Sequence, residues 1–319
     1  MKIAEKEMTD CLPSKSVSII IVNYNTKELT RQCLASIFEK THDIDFEVIV
    51  SDNGSNDGSI EMLKHDFPEI LLIENKKNLG FGTANNRGLD RAKGKYILFL
   101  NSDTLLLNNA VKKFYDYFES HQDENVGALG CNLKNAKGEI IHSYGQLVPI
   151  KQRIAALFHT LLGVTKDTIF YLIFHKNKEI KIRHASSFFI GEVPYVTGAD
   201  LFVKNDEYAR YDERFFMYNE EVDLQLQMHK AGLDSRLIEG PEIIHLEGGS
   251  TEKRHYKIFY LSTKGNQQLF LSYYQFYEKN EDKKAMLFLL KLIIILIWSN
   301  PLLIRYTYKN ILTLLSFKR

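Results

Sequence analysis

Residues 95–104 read Lys-Tyr-Ile-Leu-Phe-Leu-Asn-Ser-Asp-Thr, an apolar run that ends in three small polar side chains. The run Tyr96–Leu100 has the length of a buried strand and is short for a helix. In an open α/β sheet, ligands bind at the carboxyl ends of parallel strands, where Asn101, Ser102 and Asp103 would then lie. An aspartate there can hold a hard divalent cation, and a strand followed by an Asx-type turn is the alternative interpretation.

The segments before this stretch alternate between strand and helix patterns. Strands are predicted at Val17–Asn23, Phe46–Ser51 and Ile70–Glu74, which are rich in β-branched and aliphatic residues. Segments with apolar residues at helical spacing lie between them. This alternation predicts an α/β fold with a mainly parallel sheet, right-handed crossovers and flanking helices.

The bulk composition is that of a globular protein. The chain has 319 residues, 45% of them hydrophobic and 25% charged, which suits one large domain or one domain with an appendage. Three cysteines without metal or disulfide spacing indicate a reducing compartment. Residues 1–16 lack the apolar core of a signal peptide, and we interpret them as a loose tail.

The turns after the predicted strands carry polar side chains in place of a glycine cradle. The first turn, Asn23-Tyr24-Asn25, contains no glycine, so the dinucleotide fingerprint G-x-G-x-x-G is missing there. The phosphate-binding loop G-x-x-x-x-G-K-[ST] is also absent from the sequence. A bound nucleotide would therefore be held by side chains and a metal ion.

An ordered set of segments resembles the nucleotide-sugar half of family 2 glycosyltransferases, and most closely their rhamnosyltransferase-like branch. The segments are Val17–Thr26, Asp52–Ser59, Asn78–Gly88, Leu100–Thr104, Val196–Ala199 and Phe215–Leu224. No single segment is decisive, but their order is specific, and the resemblance covers roughly residues 17–270. It implies a GT-A type, Rossmann-like fold with a helical C-terminal appendage.

The resemblance implies a donor site at the ends of the predicted strands. Tyr24 would lie near the donor base, Asp52 would hydrogen-bond that base, and Gly198 with Ala199 would face the donor sugar. The alternative for Asp52 is a turn aspartate that bonds its own backbone. The other residues expected at the donor are Asn23, Asn78, Gly82, Asn86 and Ser102.

The resemblance also implies a site for Mg²⁺ or Mn²⁺. Asp103 would be the metal-binding residue of the family's Asp-x-Asp motif, although Asn101 stands where an aspartate is common. His245, before a Gly-Gly-Ser loop, would ligate the metal or contact the diphosphate. A divalent cation can neutralise the negative charge that develops on a nucleoside diphosphate leaving group.

Three carboxylates crowd a predicted helix start at Glu220, Glu221 and Asp223. Carboxylates near a helix N-terminus are stabilised by its free N–H groups, which is the structural interpretation. The resemblance places the family's Glu-Asp pair on Glu220 and Glu221, and implies that Glu221 is the base of an inverting transfer. Such a base takes the proton of the acceptor hydroxyl during attack. Glu220 is the other candidate.

Two segments fall outside the repeating pattern. Residues 146–190 form a variable insertion, which either packs on the sheet, covers the acceptor or touches the membrane. From Lys253 onward the chain has twelve Lys or Arg against three acids, which suggests an anionic surface as a partner. The apolar run Met286–Trp298 is shorter than the ~20 residues that span a bilayer. An interfacial helical hairpin is expected, and a packed helix pair or dimer interface is the alternative.

These features predict three parts: a tail (1–16), a GT-A domain (17–270) and a membrane-associating helical segment (271–319). We expect an inverting, metal-dependent hexosyltransferase that uses a dTDP- or UDP-sugar, with rhamnose or another hexose as the sugar. Its acceptor would be a glycan or lipid-linked glycan of a cell-surface polysaccharide precursor. The protein would be cytoplasmic, at the inner face of the membrane, and would bind no nucleic acid. The alternative is a catalytically impaired protein that binds a nucleotide sugar or a glycan.

Overall fold

A computed structural model describes residues 15–174, 187–246, 261 and 263–317. Most of the predicted tail, part of the insertion and residues 247–260 lie outside the described residues. The strands are β1 (Lys15–Asn23), β2 (Phe46–Asp52), β3 (Leu71–Glu74), β4 (Gly94–Asn101), β5 (Thr104–Leu106), β6 (Val126–Cys131), β7 (Tyr144–Gly145), β8 (Gly191–Val193), β9 (Tyr195–Val196), β10 (Asp200–Lys204), β11 (Asp234–Ile238) and β12 (Ile243–His245). The helices are α1 (Lys27–Lys40), α2 (Ser59–Asp66), α3 (Phe81–Leu89), α4 (Ala110–Ser120), α5 (Ile150–Phe174), α6 (Glu220–Lys230), α7 (Lys264–Asn280), α8 (Lys284–Trp298) and α9 (Ile304–Ser316).

Eight strands form the central sheet in the order β3-β2-β1-β4-β10-β6-β11-β8. The half built from β3, β2, β1 and β4 is parallel, whereas β10 runs antiparallel to both β4 and β6. Asn23 is in register with Asp52, and Val22 with Asn101, so three polar strand ends meet at one edge. The predicted α/β fold with a mainly parallel sheet is confirmed.

The centre of the sheet is buried on both faces because its strands are continuous apolar runs. Ile19 and Ile21 of β1 pack into one cluster with α1 and α4, while Ile20 packs into a second cluster on the opposite face with Phe99 of β4. Each such side chain contributes about 1.5–3 kcal/mol when it is fully buried. The two clusters fix β1 and β4, and with them the polar strand ends.

A third apolar cluster joins α5 to the C-terminal helices. It contains Ile150 and Leu157 of α5, Phe270 of α7, and Trp298 of α8, all of them buried. The insertion helix therefore packs on the appendage, and the predicted domain boundary at residue 270 falls inside α7. None of the helices in the described part of the chain is long and apolar enough to cross a membrane.

Candidate active site

Two adjoining cavities open at the polar edge of the sheet. The smaller, about 240 Å³, lies at the ends of β1 and β4, and the larger, about 410 Å³, lies between β4 and α6. Phe81, Asn101 and Met217 line both, so they form the wall that the two cavities share. The smaller is also lined by Val22, Tyr24, Thr26, Asn53, Asn78, Ser102 and Asp103. The larger is also lined by His142, Thr197, Gly198, Ala199, Tyr218, Glu220, Glu221 and His245.

The smaller cavity contains four of the residues that the sequence predicts at a donor or metal. Tyr24 is 46% exposed and presents an aromatic ring at the end of β1. Ser102 shares a 3.1 Å hydrogen bond with Thr26, which ties the end of β4 to the start of α1. Asn78 and Asp103 complete the set. An aromatic face beside amides, hydroxyls and a carboxylate suits a nucleoside with its phosphates.

Asn23 and Asp52 lie behind this cavity. Both are fully buried, and Asn23 Nδ2 donates to Asp52 Oδ2 at 2.6 Å. Asp52 Oδ1 accepts from the backbone N–H groups of Gly54 and Ser55, at 3.1 and 2.9 Å. These contacts are those of a turn aspartate, and its bond to a donor base stays a prediction. The carboxylate holds the turn that presents the neighbouring Asn53 to the cavity.

Asn53 is a candidate donor residue that the sequence interpretation missed. Its Nδ2 donates to Asn78 Oδ1 at 3.0 Å, and its Oδ1 accepts from the N–H of Leu79 at 2.9 Å. It therefore fixes the turn before α3 while facing the cavity. The only sequence signal is its place directly after the Asp52 that the resemblance singled out.

Gly82 and Asn86 also lie behind the cavity wall. A Cβ built at Gly82 would come within 3.1 Å of the Tyr211 Cβ, so this glycine lets α3 approach the segment before α6. The Asn86 amide is buried and closes a pair of bonds with Tyr211, whose N–H donates to Oδ1 at 3.0 Å and whose C=O accepts from Nδ2 at 2.9 Å. Both residues support the chain that leads to Met217.

Asp103 and His245 meet as a pair. Asp103 Oδ1 lies 3.2 Å from His245 Nε2, and Asn101 Nδ2 lies 3.4 Å from the same nitrogen. Antiparallel pairing of β5 with β12 places Thr104 opposite His245 and creates this contact. A carboxylate oxygen and an imidazole nitrogen suit Mn²⁺ and similar divalent cations, and phosphates commonly supply further ligands.

Asp103 and His245 therefore fit a divalent cation whose remaining coordination positions would be filled by a bound substrate. The part of the chain that the structure describes holds no cluster of three or more His, Cys, Asp and Glu. Asp103 and His245 are 20% and 15% exposed as side chains, so both can be reached from the cavities. A two-residue site of this kind would bind a divalent cation most tightly together with a diphosphate.

Glu220 and Glu221 begin α6 at the far side of the larger cavity. Glu220 is 4% exposed, and its Oε2 finds no hydrogen-bond partner among the described residues. Burial, reinforced by the charge of Glu221, raises the pKa of Glu220 well above its ordinary value. Burial also raises the pKa of Glu221, while the backbone N–H groups of Glu221 and Val222 oppose that increase. Burial therefore disfavours the charged form of both carboxylates, and that of Glu220 more strongly.

The entry to α6 aims this pair at the cavity. Tyr218 and Asn219 both adopt left-handed backbone conformations, with φ of 73° and 64°. Such a conformation is uncommon outside glycine and is found at sites that the surrounding structure holds in place. The turn sends Tyr218 to the cavity and brings Glu220 and Glu221 to its wall.

His142 is a cavity residue that the sequence analysis does not include among the site residues. It is exposed and lines the larger cavity. The adjacent Ser143 fixes its position, because the Ser143 carbonyl accepts from Thr197 N at 3.0 Å and its hydroxyl accepts from Leu133 N at 2.8 Å. A lone histidine after a short apolar run carries no local signal of this placement.

The mixed sheet, with polar side chains at the carboxyl ends of its parallel strands, has the architecture of the GT-A fold. The family model described as glycosyl transferase family 2 matches residues 18–176, and the chain belongs to that family. The match runs from within β1 through α5 and contains every lining residue of the smaller cavity except Met217. Glu220 and Glu221 lie beyond its end.

Relatives of the chain are also glycosyltransferases. An uncharacterized glycosyltransferase, YfnE, of Bacillus subtilis is 28% identical over 264 residues, which cover 74% of this chain and 66% of that protein. The N-acetylglucosaminyl-diphospho-decaprenol L-rhamnosyltransferase of Mycobacterium tuberculosis is 25% identical over 258 residues, covering 76% of this chain and 78% of that enzyme. The chain thus spans just under two thirds of the Bacillus protein.

One solved structure supports the fold assignment over nearly the whole chain. The mannosyltransferase PcManGT from Pyrobaculum calidifontis, in complex with GDP-Man and Mn²⁺, superposes with a TM-score of 0.50 at 15% sequence identity. The superposition covers 96% of this chain and 77% of the mannosyltransferase. At this identity the likeness concerns the fold alone.

Proposed function

We propose that this protein is an inverting, metal-dependent glycosyltransferase that moves a hexose from a nucleotide-diphosphate sugar to a glycan acceptor. One observation carries the proposal: a cavity with Asp103 at its edge and a cavity with Glu221 at its edge share one wall. The first suits a nucleoside diphosphate and the second suits the sugar and acceptor. The transferred sugar would lie at the wall formed by Asn101 and Met217.

Each side chain then has a role that its surroundings support. Tyr24 and Asn53 bind the nucleoside, and Asp103 with His245 would hold Mg²⁺ or Mn²⁺. When bound, the cation supplies positive charge to the departing diphosphate. Glu221 accepts the proton of the acceptor hydroxyl while that oxygen bonds to the anomeric carbon and the bond to the diphosphate oxygen breaks. Attack from the face opposite the leaving group inverts the anomeric configuration.

The substrate classes follow from the family and from one named relative. The mycobacterial relative is an L-rhamnosyltransferase whose name gives N-acetylglucosaminyl-diphospho-decaprenol as its acceptor. We propose a dTDP- or UDP-sugar donor, with rhamnose or a related hexose, and an acceptor that is a lipid-linked glycan of a cell-surface polysaccharide. Such an acceptor requires the enzyme at a membrane surface.

We propose that α8 and α9 dock on the cytoplasmic face of the inner membrane. No acidic residue occurs from Lys283 to the C-terminus, whereas seven Lys or Arg do. Apolar side chains on these two helices are exposed, at Phe288, Leu289, Leu292, Leu296, Ile304, Tyr306, Tyr308, Leu312 and Leu315. Exposed aliphatic and aromatic side chains on helices whose charged residues are all cations are typical of interfacial helices on anionic lipid.

A donor screen tests the proposal. The protein is incubated with dTDP-rhamnose, UDP-glucose, UDP-N-acetylglucosamine and GDP-mannose, with Mn²⁺ or with EDTA, and release of nucleoside diphosphate is measured with a lipid-linked glycan present. We expect one donor of the dTDP or UDP class to be consumed in Mn²⁺ only. Binding of a donor without turnover would instead support the impaired binding protein. Consumption that EDTA leaves unchanged would contradict the metal assignment.

A further inference from the structure

Helix α7 forms hydrogen bonds along its length with the segment that carries Glu220 and Glu221. Gln275 Nε2 donates to the carbonyl of Arg214 at 3.0 Å, before the turn that leads into α6. The Asn219 side chain, at that turn, hydrogen-bonds the hydroxyl of Ser272. Further along, the Asn280 carboxamide accepts from Gln227 Nε2 of α6 at 3.0 Å. The two sides of the turn are thus held by one helix.

Lys279 is the charged centre of these contacts. Its Nζ lies 2.7 Å from Asp212 Oδ2 and 2.5 Å from Asp223 Oδ2, so one ammonium bridges the segment before the turn and the helix after it. Asp212 also accepts three side-chain hydrogen bonds from Arg214. Burial opposes ionisation of Asp212, but the bonds from Arg214 and Lys279 hold its pKa well below the usual range.

Asp223 is the residue through which Lys279 would reach the catalytic pair. It is 2% exposed, and its other oxygen accepts from Asn280 Nδ2 at 2.8 Å. It lies two residues after Glu221 and one helical turn after Glu220, so its position fixes that first turn of α6. A carboxylate this buried depends on its paired cation, because an unpaired buried charge is strongly disfavoured.

The segment between Asp212 and Asp223 needs the support that Lys279 gives it. It contains the consecutive left-handed residues Tyr218 and Asn219 and the cavity residue Met217. Its other main support is at α3, where Phe81 N–H donates to the Phe216 carbonyl at 2.8 Å. Without the contact to α7, the turn would be free to relax toward ordinary backbone conformations.

We propose that Lys279 is a positioning residue for the transfer step, holding Glu221 at the cavity through its bridge to Asp212 and Asp223. The inference rests on the proposed function, in which Glu221 is the base. Helix α7 would then belong to the catalytic machinery although it lies beyond the family match and packs on the appendage. Lys279 touches neither cavity, so it acts only through the residues that it holds.

The test compares Lys279→Met with Lys279→Arg and with the control Lys283→Met. Lys283 is 52% exposed and pairs with Glu281, outside the Lys279 bridge. Misplacement of a catalytic group by about 1 Å costs on the order of 100-fold in rate, so Lys279→Met should lower kcat by about 10- to 100-fold. KM for the donor should stay at the wild-type value. Lys279→Arg should recover part of kcat, because a guanidinium can also bridge two carboxylates.

A pH profile separates positioning from a loss of folded protein. Lys279→Met removes the ammonium that bridges Asp212 and Asp223, and this loss of positive charge behind α6 makes Glu221 harder to deprotonate. The acidic limb of kcat/KM should then move to higher pH. The double variant Asp223→Asn with Lys279→Met removes both charges and should return the limb to its wild-type position, while kcat stays low. A smaller fraction of folded protein would lower kcat/KM equally at every pH and leave the acidic limb of the profile in place.

Two results would overturn the inference. One is a folded Lys279→Met with the kcat and pH profile of Lys283→Met. The other is a fall in kcat of the double variant that is no larger than the fall in its folded fraction, measured by circular dichroism. The double variant also provides the test if Lys279→Met alone fails to fold. A fully active Glu221→Gln would instead contradict the proposed base, whatever Lys279 does, so the two failures are distinguishable.

Discussion

At the scale of single residues, the two carboxylates that begin α6 have different surroundings. Glu220 is buried against Tyr211, whose hydroxyl also finds no partner among the described residues, and burial raises the pKa of both groups. Glu221 is half-buried, and hydrogen bonds from backbone N–H groups stabilise its charged form. In the proposed mechanism Glu221 is the base and Glu220 is its neighbour, and the larger rise in the pKa of Glu220 supports that assignment.

Glu220→Gln should gain stability relative to the wild type as pH rises above about 4.3. The folded pKa of Glu220 is raised above its ordinary value of about 4.3, so the wild type is fully stabilised below that value and loses stability as pH rises through the folded pKa. Glutamine keeps the shape and has no such dependence. Melting temperatures from about pH 5 to about pH 8.5 should show an advantage of the variant that grows with pH. A constant difference would contradict the raised pKa.

Asp103→Asn should remove the effect of metal on donor binding and leave the fold intact. A carboxylate supplies charge to the cation, whereas an amide supplies only a dipole, so UDP or dTDP should no longer gain affinity from Mn²⁺. His245→Ala should weaken the same binding less, because an imidazole contributes a lone pair without charge. Calorimetric titration with and without Mn²⁺ measures both. If the Asp103→Asn protein still gained the full affinity for UDP or dTDP from Mn²⁺, Asp103 would not be the metal ligand.

At the scale of elements, the start of α3 depends on one glycine. Gly80 has a φ of +91°, and a Cβ built there would lie 2.3 Å from the carbonyl oxygen of Phe216. The close approach lets the next residue, Phe81, bond that carbonyl through its N–H. Gly80 therefore joins α3 to the segment that brings Met217 to the wall between the cavities.

Gly80→Ala should damage both stability and donor binding. Its control is Gly138→Ala, since Gly138 has a φ of +78° and no atom within 4 Å of the added Cβ. The control carries only the left-handed strain of about 1–2 kcal/mol, whereas Gly80→Ala must also displace backbone. We expect a clearly larger fall in unfolding free energy for Gly80→Ala, together with weaker UDP or dTDP binding. Equal effects would show that crowding at Gly80 is unimportant.

The sequence predicted the strands and turns of the sheet, but not the contacts between distant elements. Apolar runs such as Tyr96–Leu100 predicted the central strands because burial on both faces leaves no polar position in them. The turns at Asn23 and Asp52 were correctly found, but whether an amide faces a ligand or its own backbone depends on rotamers that spacing does not encode. The packing of α5 on α8 and the cavity position of His142 are long-range contacts with no local pattern.

At the scale of the whole molecule, the appendage is both a packed unit and an exposed surface. Trp298 and Leu290 are fully buried in its core, so removing everything from Met286 onward would also uncover the apolar side of α7. Truncation therefore cannot separate membrane binding from packing. Substitution of exposed side chains on α8 and α9 can do so.

Replacing Leu292, Leu296 and Leu312 together by serine should release the protein from anionic vesicles. Leu71→Ser, at an exposed leucine on β3, is the control and should leave binding unchanged. Binding of the wild type should weaken at high salt without vanishing, because salt screens the ~1 kcal/mol from each surface cation but not the apolar contribution. Co-sedimentation with phosphatidylglycerol vesicles measures this. A wild type that stays in solution at low salt, or that forms a dimer which the triple variant loses, would assign this face to a second copy.

The central claim, that Glu221 is the base of a transfer between the two cavities, is tested most directly by one comparison of rates. Single-turnover transfer from the donor found in the screen is measured for wild type, Glu221→Gln and Glu220→Gln, at saturating Mn²⁺. Loss of a general base typically costs about 10²–10⁴-fold, and we predict that loss for Glu221→Gln with donor affinity retained. Glu220→Gln should keep most of the rate, since glutamine resembles the neutral acid. A fast Glu221→Gln beside an inactive Glu220→Gln would contradict the account.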